Sequence, residues 1–79
     1  MDAINLILIE SGREVTVMQL DGGHQFIEKA ESLGIRAGVR IKKLSSQVMR
    51  GPVTIQIGNS KVALGYGMAK KIMVSLTEK

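Results

Sequence analysis

Cysteine is absent from these 79 residues, which excludes disulfides, thiolate metal sites and a cysteine nucleophile, so packing alone must hold the chain together. That usage fits a reducing cytoplasm. Tryptophan is absent too, and Phe26 and Tyr66 are the only aromatics. Two rings are too few for a base-stacking platform or for an aromatic groove that takes proline-rich peptides. With one histidine, His24, and no serine in a nucleophile-elbow motif, the chain does not support a hydrolytic triad. Its most apolar segment, Ile4 to Ile9, is broken by Asn5 and falls far short of the roughly 20 residues that span a bilayer. No basic stretch precedes it, so neither a signal peptide nor a membrane anchor is expected. Asp21-Gly22-Gly23 has neither the Lys-Ser/Thr of a phosphate loop nor the spacing of a dinucleotide fingerprint.

Acidic residues are scarce in one part of the chain only. Residues 1–35 hold two basic against six acidic side chains, and residues 36–79 hold nine basic against one acidic, giving the overall charge of +4. Such asymmetry points to an acidic partner surface, a nucleic acid or an anionic membrane face, while the plainer reading is a solvated exterior. A chain this short buries a modest core of Ile, Val, Leu, Met and Ala, leaving roughly 5 kcal/mol of net stability at best.

The apolar pattern is mostly that of strands. Val15 and Val17 alternate, after which Met18 and Leu20 carry the apolar positions, as in a bent strand covered on both sides. Asp21-Gly22-Gly23 turns the chain, and Phe26, Ile27, Ala30 and Leu33 then share one face of a short helix over residues 24–33. Gly34 closes that helix in the left-handed conformation. Val39 and Ile41 begin the next strand, in which Leu44 falls out of phase, as a bulge near Lys42-Lys43 would produce. Val53, Ile55 and Ile57 alternate behind Pro52, Gly58 to Lys61 make a hairpin loop, Val62 and Leu64 point inward, a single helical turn falls near 67–70, and Ile72, Val74 and Leu76 form a last strand. The segment before Ile9 is expected to cover one end of the core, with Asn5 as a cap. Residues 1–79 thus read as one mainly β domain, a small SH3-like barrel of about five strands, with an OB-type barrel as the structural rival.

In order and spacing, Asp21-Gly22-Gly23, Leu33-Gly34-Ile35 with Gly38, Gly51-Pro52-Val53, Val62-Ala63-Leu64, Ala69 and Ile72-Met73-Val74 resemble the FeoA family. They also resemble the SH3-like C-terminal domain of DtxR-type metalloregulators. The resemblance covers about Gly12 to Leu76. It implies a non-enzymatic cytoplasmic accessory of ferrous iron uptake that binds and modulates the membrane transporter FeoB through its cytoplasmic domain. The helix departs from the family, which commonly carries arginine there; this chain has Phe26-Ile27-Glu28-Lys29-Ala30-Glu31, so no partner site is transferred to it. The helix-turn-helix that a DtxR-type repressor needs is not found here.

Candidate residues fall into two sets. His24, Glu28 and Glu31, at i, i+4 and i+7 of the helix, are candidate ligands for Fe(II) or Zn(II), against the plainer reading of a solvated face. No cofactor is required. Arg40, Lys42, Lys43, Met49, Arg50, Met68, Lys70 and Lys71 are the partner-binding candidates, charge giving attraction and methionine giving adaptable contact. A small basic nucleic-acid-binding barrel and a metal-responsive module are the alternative functions. Exposed edge strands would allow a weak homodimer without specifying one.

Overall fold

Period-two alternation fixes the strands. Val15 and Val17, Val53 and Ile55, and Ile72 and Val74 are all buried, as residues on the inner side of a pleated strand must be. In the computed structural model, which describes residues 3–46 and 49–76, these pairs lie in β2 (Glu14–Leu20), β4 (Val53–Ile57) and β6 (Ile72–Ser75). β3 is Arg40–Ser46, β5 is Ser60–Leu64, and β1 is only Ile4–Asn5. Every pairing is antiparallel, in the order β1-β6-β2-β3-β4-β5, and the sheet curls as a small SH3-like barrel. The sixth strand comes from the N-terminal segment, where Ile4 and Asn5 pair with Val74 and Met73. Asn5 then caps a 3-10 turn over Leu6–Leu8, its Oδ1 accepting the Ile7 N–H at 3.1 Å. Leu6 is thereby driven fully into the core.

Two bulges bend the sheet. Against β6, β2 shifts register between Val17 and Gln19, which accounts for the change of phase after Val17. Leu20 is half-buried as expected, but Met18 is exposed. Against β4, β3 shifts between Lys43 and Ser45, close to the expected bulge. There Ile41 and Lys43 face inward, while Leu44 is only half-buried.

The helix α1 spans His24–Ser32, and its end follows from local chemistry. Gly34, at φ +91°, lets its own N–H reach the Glu31 carbonyl at 3.0 Å and the Ile35 N–H reach the Ala30 carbonyl at 2.9 Å. Those two bonds make a Schellman motif, and Ala30 and Ile35 pack together in the core. The four-residue helix α2 spans Tyr66–Ala69, one residue earlier than the expected turn. Between β4 and β5 the loop is reduced to Gly58-Asn59, with Ile57 paired to Ser60 and Gly58 at φ +58°.

Candidate partner-docking surface

Lys43 is the first of the expected partner residues to be corrected. It is 2% exposed, and its Nζ donates to the carbonyls of Leu6, Ile7 and Ile9 at 3.3, 3.0 and 2.6 Å. An ammonium has three protons to donate, and three acceptors surround this one. Burial lowers its pKa below the ordinary 10.5; the carbonyls oppose that by favouring the charged form. Lys43 is therefore turned away from any partner, and it ties the 3-10 turn to the barrel wall.

The remaining candidates are exposed or half-buried and divide into two groups. Arg40 and Lys42 lie on the outer side of β3, where they line a shallow hollow of about 430 Å³ with Glu14 and Gln56. Arg40 sits 3.3 Å from Glu14 with both side chains exposed, an arrangement that contributes little to stability. The second group gathers around α2. Arg50 and Lys70 stand 5.8 and 5.9 Å from the centre of the Tyr66 ring, and Lys71 stands 5.4 Å from that of Phe26. Met49 precedes Arg50 in the turn before β4; both have left-handed φ values of 60° and 65°, and Met49 is 90% exposed. Cations over ring faces at this range are attracted by the ring quadrupole.

Met68, Lys70 and Lys71 meet Gln25, Phe26 and Lys29 of α1 across a cleft of about 530 Å³. A backbone bond from the Asp21 N–H to the Lys71 carbonyl, 2.7 Å, ties the approach to α1 to the exit from α2. Alongside lies a smaller hollow of about 260 Å³ lined by Ile7, Leu8, Tyr66 and Lys70, with Leu8 75% exposed and Asn5 Nδ2 donating to the Lys70 carbonyl. Sequence reasoning missed the contribution of α1, whose acidic residues drew attention from Gln25, Phe26 and Lys29. The structure gives the diglycine a second reason: a Cβ on Gly22 would collide with Phe26 Cδ2, so the ring lies directly on the turn.

Of the metal candidates, His24 Nε2 and Glu28 Oε2 are 2.9 Å apart on an exposed helix face. Glu31 is exposed one turn on. Among the described residues, no group of three His, Asp or Glu side chains is placed to hold a metal ion. Nor is any described helix long and apolar enough to cross a membrane.

A curled antiparallel sheet of six short strands, with one helix after β2, a helical turn before β6 and an exposed basic and apolar surface between them, defines a small SH3-like module. The FeoA domain model matches residues 4–76, and this chain belongs to the FeoA family of ferrous iron transport accessory proteins. It is 37% identical over 73 residues to a Methanocaldococcus jannaschii protein named Fe(2+) transport protein A, covering 92% of this chain and 87% of that one. A crystal structure described as the iron uptake regulatory protein FeoA superposes with a TM-score of 0.86 at 32% identity, over 94% of this chain and 97% of the other. A manganese-dependent transcriptional repressor superposes at 0.88 with 25% identity, over 98% of this chain but only 38% of the repressor. The same barrel therefore occurs as one part of a longer protein.

Proposed function

We propose that this protein is a cytoplasmic, non-enzymatic accessory that binds the cytoplasmic domain of the ferrous iron transporter FeoB and modulates transport. Family membership supplies the transport context. The observation that carries the docking role is the surface around α2, where Arg50, Lys70 and Lys71 border partly exposed Tyr66, Phe26 and Met68 and exposed Leu8. Charge at the border speeds encounter and selects an acidic partner, and the apolar contacts fix the pose.

The test is an NMR titration of the isotope-labelled protein with the isolated cytoplasmic domain of FeoB. Amide shifts are expected to cluster on residues 66–71 and on the adjoining Ile7 and Leu8, and to weaken as salt is raised. Absence of any shift at a domain concentration well above that of the labelled protein would refute the docking role. A parallel titration with Fe(II) or Zn(II) covers the alternative role of a metal-responsive module, for which shifts would centre on His24 and Glu28.

A further inference from the structure

The cleft between α1 and α2 has two kinds of lining. Phe26 and Met68 offer apolar surface, while Lys29, Lys70 and Lys71 bring three ammonium groups to it. Among the described residues, none that lines the cleft is acidic, so its charge is not neutralised from within. Its volume, about 530 Å³, is within the range of roughly 300–1,000 Å³ over which clefts hold small ligands or short segments. Its Lys70-Lys71 side is held by two hydrogen bonds: the Asp21 N–H donates to the Lys71 carbonyl, and the side-chain Nδ2 of Asn5 donates to the Lys70 carbonyl. A side held in this way loses little freedom when the cleft is filled.

We infer that this cleft receives a short acidic segment of a protein partner. One apolar side chain of that segment rests against Phe26 and Met68, and carboxylates on either side of it pair with Lys29, Lys70 and Lys71. The inference rests on the docking role proposed above and names the chemistry of what docks. Carboxylates match the three ammonium groups, and pairing at a partly apolar cleft is stronger than in open solvent. Single-stranded nucleic acid fits less well. Stacking needs free ring faces, but Lys71 stands over Phe26, and Arg50 and Lys70 stand over Tyr66.

The probe is the blocked pentapeptide Asp-Glu-Leu-Asp-Glu, titrated into the labelled protein beside its neutral counterpart Asn-Gln-Leu-Asn-Gln and an eight-residue uridine oligonucleotide. The acidic peptide is expected to shift the amides of residues 25–29 and 66–71, and to lose affinity as salt rises. The neutral peptide should bind at least about tenfold more weakly, and the double variant Lys70→Glu/Lys71→Glu should weaken the acidic peptide by a similar factor. Met68→Gln, which keeps the charge, should also weaken it, showing that the apolar contact matters. Equal binding of the two peptides, shifts centred on Arg40 and Lys42, or tighter binding of the oligonucleotide at the cleft would each overturn the inference. Competition with the FeoB domain separates the two readings. Peptide binding at the cleft, with no displacement and no shift of any amide by the domain, sustains the cleft chemistry and refutes the docking role. Domain binding that shifts Tyr66, Ile7 and Leu8 but leaves residues 25–29 unshifted, with no binding of the acidic peptide, does the reverse.

Discussion

Lys43 and the Lys70-Lys71 pair are the same chemistry in opposite settings. On β3 the ammonium is withdrawn from water and surrounded by three carbonyls, so it binds the N-terminal turn to the barrel. Beside α2, Lys70 is exposed and Lys71 half-buried, each over an aromatic ring at the edge of a cleft. Buried charge of the first kind is costly to disturb, because its partners cannot return to water without unpacking the turn. Charge of the second kind is nearly free for folding and is available for binding. A count of basic residues therefore measures neither role; what separates them is where the strand or helix turns the side chain.

The largest loss of stability is expected at Lys43. Lys43→Met keeps an unbranched side chain of related shape but removes the Lys43 donor from the Ile7 and Ile9 carbonyls and leaves that of Leu6 with the Ile9 N–H alone, and it is expected to cost about 2–4 kcal/mol, read as a lower urea midpoint. Hydrogen exchange should quicken at the amides of residues 6–9 before those of β2 to β4. A smaller loss is expected at Gly22→Ala, where the new Cβ meets Phe26. Displacing the ring should cost about 1–3 kcal/mol in thermal or urea denaturation and alter the amide shifts of Met68 and Lys71 across the cleft.

Alkaline pH sharpens the contrast without a change of fold. Burial lowers the Lys43 pKa below 10.5, so over the interval between the lowered value and 10.5 the unfolded chain holds more protons than the folded one. Stability contributed by this residue therefore rises with pH through that interval and is flat below it. Urea denaturation of the wild type should show this rise relative to Lys43→Met, the other titrating groups being common to both. The smallest effect on stability is expected from Lys70→Glu/Lys71→Glu, within about 0.5 kcal/mol of wild type by the same measurement.

Much of the fold was legible because it is written in local periods. The strand alternations, the helix face and the Gly34 stop each depend on residues a few positions apart and appear close to where those residues place them, except that Met18 is exposed and Leu76 falls just beyond β6. Lys43 was misread at the bulge. Continuing the alternation from Val39 through Ile41 points inward at Lys43, but the apolar Leu44 one place on drew the reading away. Its acceptors lie 34 to 37 positions back along the chain, and no local pattern announces a carbonyl waiting for a donor. The cleft is likewise a product of packing. Phe26 and Lys29 read as parts of an amphipathic helix, and only the meeting of α1 with the turn before β6 sets them opposite Met68 and Lys70.

On the proposed docking role, charge at α2 serves association, while charge at Lys43 serves the fold. Calorimetric titration of the FeoB cytoplasmic domain with wild type and with Lys70→Glu/Lys71→Glu, the folding of each checked by its urea midpoint, tests it most directly. The account predicts an unchanged midpoint and an association weakened at least about tenfold. An association that stays the same in the double variant would contradict it.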